Sequence, residues 1–191
     1  MYERIELRFG GIGGQGIITM GILVGHAAVV YDGKYAVQTQ SYGPEARGSA
    51  CRSEVVISNK PIDFPKVLTP DIFVCMSQEA YQKYISDLKK DGYLIVESNL
   101  VSHLNSSHPI ANTYKIPALK IAEKNFKRPI VANMVMLGAL VAITNVVSAE
   151  GLKKSIAERF PKYKEINLRA FDTGYSYASK IIGSVNEEKN R

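Results

Sequence analysis

Cysteine is scarce: Cys51 and Cys75 are the only two in 191 residues, and no C-x-x-C pair occurs. An iron–sulfur cluster or a structural zinc site needs about four suitable ligands. His26, His103 and His108 are not spaced to complete such a set. The chain is therefore expected to hold no cluster and no metal of its own. Two cysteines also make no disulfide framework, which points to a reducing compartment, the cytoplasm. Long apolar runs are missing too. Crossing a bilayer takes about 20 apolar residues; Ile17–Val30 is shorter, and Val131–Val147 is interrupted by Asn133, Thr144 and Asn145. Both read as helices buried between layers, with no membrane role. The opening MYERIELRFG carries charges of both signs and runs into glycines, unlike a signal peptide. There is no G-x-S-x-G elbow, no G-x-x-x-x-G-K-[ST] loop and no H-E-x-x-H. No self-contained catalytic set is visible.

The charge balance is only mildly basic, 24 Lys and Arg against 18 Asp and Glu. The excess sits in the second half (Lys115, Lys120, Lys124, Lys127, Arg128, Lys153, Lys154, Arg159, Lys162, Lys164) at helical spacing among acids. Solvated helix faces are the expectation, with a basic face docking onto an acidic partner or a phosphate-bearing ligand as the alternative; a nucleic-acid surface would concentrate charge on one face with interleaved aromatics.

What is present is an alternation of strands and helices. Ile5, Leu7 and Phe9 alternate with charged residues and predict a half-buried strand. Glycines 10–16 interrupt it, a helix begins at Ile17, and Asp32-Gly33 ends that helix. Tyr35–Gln40 and Arg52–Ser58 read as strands, joined through the loop Tyr42–Gly48. Asp71–Met76 is a strand, Ser77 an N-cap for a helix through Leu88, and Tyr93–Glu97 another strand. Ser98–Asn112 is polar and irregular, Tyr114–Ile116 closes the strand series, and Pro117 opens a helix through Asn125. The last third is helical: Val131–Thr144, a helix capped by Ser148 and stopped by Pro161, and a final helix with the stripe Leu168, Phe171, Tyr175, Ala178, Ile182. The expectation is one α/β domain over residues 1–185, a central sheet flanked by helices, with a frayed tail at 186–191.

Gly11, Gly13 and Gly16 satisfy G-x-G-x-x-G between a strand and a helix, giving a Rossmann-like glycine loop. Such a loop turns tightly and aims several N–H groups at the position where the helix dipole favours an anion. A dinucleotide site also needs an acid at the tip of the second strand for the ribose. That strand ends in Gln40 and Ser41, and Asp32 sits in the turn before it, so an NAD site is not favoured. Gln15 is either a solvated loop residue or a polar contact to a ligand or another chain. Tyr42, Glu45 and Arg47 project from the second loop, with Arg47 able to clamp a carboxylate or phosphate or simply to pair with Glu45. His26, inside an apolar helix, reads as a satisfied core histidine.

Three longer segments carry a resemblance. GIGGQGIIT (11–19), QSYGPEARGS with RSEVVIS (40–49 and 52–58) and NMVMLGAL (133–140) resemble the gamma subunit of 2-oxoacid:ferredoxin oxidoreductases, in order and spacing across nearly the whole chain. IPALKIAEK (116–124) and INLRAF (166–171) fit as well. The wording SYGPEARG is similar to the 2-oxoglutarate branch, whereas pyruvate and ketoisovalerate gamma subunits tend towards FG-x-E-R-R-G. One departure is Ser49, where the family commonly has a second glycine. The resemblance implies a subunit without its own catalytic residues. Alpha and beta subunits would hold thiamine diphosphate and Mg²⁺, a ferredoxin-like delta subunit [4Fe–4S] clusters, and the complex would use coenzyme A and pass electrons to ferredoxin. It implies Gly11, Gly13, Gly14, Gln15, Gly16, Tyr42, Glu45, Arg47 and Asn133 as candidates for a coenzyme A phosphate site or a subunit interface. A pyruvate, 2-oxoisovalerate or indolepyruvate enzyme, a free-standing NAD(P)-binding oxidoreductase and a pure interaction module remain the alternatives.

Overall fold

The computed structural model describes residues 3–41, 50–106, 110 and 112–189, the side chains of 185–189 excepted. Six strands form one sheet in the order β2-β3-β1-β4-β5-β6. They are β1 (Arg4–Ile12), β2 (Tyr35–Ser41), β3 (Ala50–Ser58), β4 (Ile72–Cys75), β5 (Tyr93–Glu97) and β6 (Asn112–Ile116). β1 pairs in parallel with β4, β4 with β5 and β5 with β6, while β3 runs antiparallel to both β1 and β2. β3 is thus the one reversed strand. The connection from Ser41 to Ala50 is too short for a crossover, which takes a dozen or more residues, so β2 and β3 must pair as a hairpin.

Helices cover both faces unequally. α1 (Ile17–His26, continued by a π-helical turn Ala27–Tyr31), α4 (Ala132–Thr144), α5 (Ala149–Arg159) and α6 (Lys164–Lys189) build the larger core with Leu7, Phe9, Val55, Val74 and Ile95 of the sheet. α3 (Ala118–Phe126) adds Ala118 and Ala122 to it. α2 (Gln78–Tyr84) lies on the opposite face, over Phe73, Cys75, Leu94 and Val96. Ser77 caps α2 through the Ala80 N–H, and Ser148 caps α5 through the Gly151 N–H, both as expected from the sequence. Asp32 reinforces the second cap: its carboxylate accepts from the backbone N–H and the hydroxyl of Ser148.

α4 is buried on nearly every side, which explains its uniformly apolar sequence. Its contact with α6 is backbone to backbone. A Cβ on Gly138 would lie 2.0 Å from the Phe171 carbonyl oxygen, and one on Gly174 1.9 Å from that of Val135. The NMVMLGAL segment therefore carries a packing requirement at its glycine, independent of any ligand. α6 continues to Lys189, into the segment expected to fray.

Two sequence expectations change. The strand expected to be half-buried has its central charged residue covered as well: Arg8 is 1% exposed, because α2 closes the second face of the sheet. Its Nε donates to Glu54 at 2.8 Å and its Nη1 to Asp87 at 2.6 Å, and its guanidinium lies 5.4 Å from the centre of the Tyr84 ring. His26 is not a core residue. Its ring is exposed between α1 and α5, with Nδ1 2.9 Å from Ser155 Oγ and Nε2 3.8 Å from Glu158. Its neighbours there, Ser155 and Glu158, lie on a helix more than a hundred residues on, so the apolar residues around it in sequence do not reveal its placement.

Candidate functional site

The glycine loop sits at the carboxyl ends of β1 and β4, the rim where open α/β sheets carry their sites. β1 ends at Ile12 and α1 begins at Ile17, as expected. Gly13 and Gly14 are exposed; Gly14 and Gly16 take φ of +92° and +74°, which side chains rarely adopt. No side chain caps α1, so its first-turn N–H groups face outward without side-chain competitors.

Gln15 makes its polar contacts within the chain. It turns inward: Oε1 accepts from the Ile12 N–H at 2.8 Å, and Nε2 donates to the Met76 carbonyl at 2.8 Å. One carboxamide thus staples the loop to the end of β4. Gly11 is required by that arrangement, since a Cβ there would meet Gln15 Oε1 at 2.5 Å. Gln15 and Gly11 are positioning residues of the rim.

Asn133, in the first turn of α4, abuts the loop from the other side. A Cβ on Gly16 would lie 2.2 Å from its Nδ2. The residue is 6% exposed, and its carboxamide makes no hydrogen bond with the described residues. Asn167 of α6 shares this condition at 7% exposed. Buried carboxamides are normally satisfied, so two of them lining one cavity of about 310 Å³, with Ile130, Met134 and Tyr163, mark a place prepared for a polar partner. Asn133 was among the residues the resemblance pointed to, whereas Asn167, inside INLRAF, had no spacing signal.

A second cavity, of about 250 Å³, opens between Gly14, Gln15, Leu100, Leu119 and Ile130. Its lining is largely apolar, and Ile130 borders both cavities while being 62% exposed. The loop end of the sheet is therefore not a bare anion hole. It combines open helix N–H groups, an apolar trough and buried carboxamides. Glu97 supports the trough from beneath: fully buried at the end of β5, it accepts from the N–H groups of Asn99, Leu100 and Leu119. Burial raises its carboxyl pKa, with those N–H donors opposing the shift.

Tyr42, Glu45 and Arg47 lie outside the described residues. The connection that bears them leaves the sheet at Ser41 and returns at Ala50, which pairs with Ile12 beside the glycine loop. Neither cysteine offers reactivity to the site. Cys51 and Cys75 belong to the cores on opposite faces of the sheet, and burial raises both thiols, Cys75 to about 12. The ribose test also fails in space: β3 stands between β1 and β2, and Asp32 is engaged with Ser148.

Comparison with known proteins places this geometry. The family model for pyruvate ferredoxin/flavodoxin oxidoreductase matches residues 6–177. A relative, the 2-oxoglutarate synthase subunit KorC of Methanocaldococcus jannaschii, is 54% identical over 93% of this chain and 96% of its own. The solved gamma subunit of a keto/oxoacid ferredoxin oxidoreductase from Geobacter sulfurreducens superposes with a TM-score of 0.83 at 44% identity, covering 93% of this chain and 97% of that one. A 2-oxoglutarate:ferredoxin oxidoreductase from Magnetococcus marinus, solved with 2-oxoglutarate, coenzyme A and succinyl-CoA bound, also gives 0.83, at 25% identity. That match covers 94% of this chain and 32% of the longer one.

Proposed function

Because the chain belongs to the pyruvate ferredoxin/flavodoxin oxidoreductase family, we propose that it is the gamma-type subunit of a 2-oxoglutarate:ferredoxin oxidoreductase. The complex would convert 2-oxoglutarate and coenzyme A to succinyl-CoA and carbon dioxide, and deliver the two electrons to ferredoxin. The observation that carries this reading is the end-to-end similarity to a 2-oxoglutarate synthase subunit of nearly the same length.

The described residues fit a supporting role. The two thiols lie on opposite faces of the sheet, so they do not converge on a cluster, and clusters and thiamine diphosphate are assigned to the alpha, beta and delta partners. What this chain supplies is a shaped rim. Open N–H groups at the start of α1 favour an anionic group, the trough around Ile130 suits an apolar or amide-bearing arm, and the Asn133 and Asn167 carboxamides offer donors and acceptors inside it. Coenzyme A has each of these parts. Tyr42, Glu45 and Arg47 stay with the same proposal on the strength of the resemblance.

Anaerobic affinity purification of the chain from its host tests the reading. Co-purifying subunits, with coenzyme A-dependent dye or ferredoxin reduction by 2-oxoglutarate and little by pyruvate or 2-oxoisovalerate, are expected. A chain that elutes alone, and supports no such activity once partner subunits are added, overturns it.

A further inference from the structure

His26 and Glu158 face each other across the seam between α1 and α5, with Nε2 3.8 Å from Oε2. That gap exceeds a hydrogen bond, which brings nitrogen and oxygen to about 2.7–3.2 Å, yet both groups are held at their other ends. Ser155, 2% exposed on α5, holds Nδ1 at 2.9 Å. The Tyr31 hydroxyl donates to the far carboxylate oxygen of Glu158, Oε1, and that hydrogen bond raises the phenol's pKa, so Tyr31 stays a donor. Tyr31 follows His26 through the π-helical turn, in which residues five apart come into line. Its ring stands edge-on to the imidazole, with centroids 6.0 Å apart. Lys154, 5.6 Å from the centre of the Tyr31 ring, is paired with Glu150. One ring nitrogen and one carboxylate oxygen are thus left opposite each other, each oriented through its other atom, with both side chains open to solvent.

We propose that His26 and Glu158 bind a divalent transition-metal ion of the zinc class, one that takes imidazole nitrogen and carboxylate oxygen together. Zinc bonds to these donors are about 2.0–2.2 Å long, which sets the two ligand atoms about 3.3–3.5 Å apart at a tetrahedral angle. The exposed Glu158 side chain closes the remaining distance. A metal-ligating histidine donates its other ring N–H to an oxygen, which fixes the tautomer and the ring plane, and Ser155 Oγ stands where that acceptor is needed. His103 supplies the contrast: Ser102 Oγ lies 2.8 Å from its Nδ1, but among the described residues His26 is the histidine that pairs with an acid. No third His, Cys, Asp or Glu joins the pair among the described residues, so water, or a donor from a neighbouring chain, completes the shell. The ion ties the end of α1 to the last turn of α5. Ligands more than a hundred residues apart leave no spacing motif, which is why the chain was expected to hold no metal. His26 lies at the far end of α1 from the glycine loop, so the site does not depend on the proposed function.

Titration of the full chain with Zn²⁺ near neutral pH, where an exposed imidazole is mostly uncharged, in competition with a chromogenic zinc indicator, tests the proposal. Cys51 and Cys75 are buried with raised thiol pKa values and do not compete in the folded chain. Wild type should take one equivalent from the indicator, and an excess of Mg²⁺, which prefers oxygen ligands, should not displace it. His26→Gln and Glu158→Gln should each lose about tenfold or more in affinity, at least what removal of an orienting neighbour costs. His103→Gln should bind as wild type does. Urea unfolding without metal shows that each variant is folded, so a loss of binding is a loss of ligand. Undiminished binding in His26→Gln or in Glu158→Gln, lost binding in His103→Gln, equal displacement by Mg²⁺, or a wild type that takes up no Zn²⁺ at millimolar concentration overturns the proposal. His26 and Glu158 are then an ordinary surface pair.

Discussion

Replacing Asn133 by leucine should make the chain more stable and the enzyme worse. The carboxamide is buried, packed against Gly16 and without a hydrogen bond among the described residues. A buried polar group left unsatisfied costs about 1–3 kcal/mol, and leucine is of similar size with no group to satisfy. Allowing for imperfect fit beside Gly16, the gain should be about 1–2 kcal/mol, or a rise in Tm of roughly 2–8 °C for a chain of this length. Urea unfolding of the full chain, followed by circular dichroism, reads the first effect as a higher midpoint at unchanged slope. Kinetics of the reconstituted complex read the second as a lower kcat/KM for coenzyme A. A variant that loses 1 kcal/mol or more would refute the reasoning, because the carboxamide must then be satisfied in the free chain and is structural. Stabilisation with untouched kinetics would show that the groove does not use this amide.

Gly174→Ala should destabilise by about 1–3 kcal/mol despite alanine's better helix propensity, because its Cβ meets the Val135 carbonyl oxygen, which cannot rotate away; thermal melts check this, and a neutral result removes the backbone contact as a constraint. Arg8→Met should cost about 3 kcal/mol or more by stranding the buried Glu54, whose other cationic neighbour is Arg52 at 3.7 Å. Adding Glu54→Gln should recover part of that loss in the same denaturation assay, and no recovery would mean the charge pair is not its source. Cys75, raised to about 12, is thiolate in only about one molecule in ten thousand at pH 8. Native chain should therefore resist thiol reagents at Cys75 at that pH and label at both cysteines in denaturant; rapid native labelling of Cys75 contradicts its buried placement.

The elements were legible because each has a local physical signature. Ser77 and Ser148 precede helices and bond the N–H three residues on, and Asp32-Gly33 closes the helical stretch from Ile17. Arg8 was misread because alternation shows one face of a strand and says nothing of what covers the other. The covering group, α2, is a short helix more than sixty residues away in sequence. Gln15 was undecided because both of its bonds, to Ile12 and Met76, need β4 already beside β1. Asn167 gave no warning at all, because it meets Asn133 and Arg128 only where the segment after α3, α4 and α6 come together, and no spacing along the chain encodes that meeting.

The reversal of β3 shapes what this fold can change. A hairpin connection, unlike a crossover, carries no helix that must repack when its length alters, and here both its ends sit on the same rim as the glycine loop. A change of length between Ser41 and Ala50 thus leaves no crossover helix to repack. The Gln15 staple is made within residues 12–76 and does not involve the connection between Ser41 and Ala50. Exchange of that one segment between subunits serving different 2-oxoacids should transfer rim chemistry while leaving the sheet, and the helices behind it, as they are.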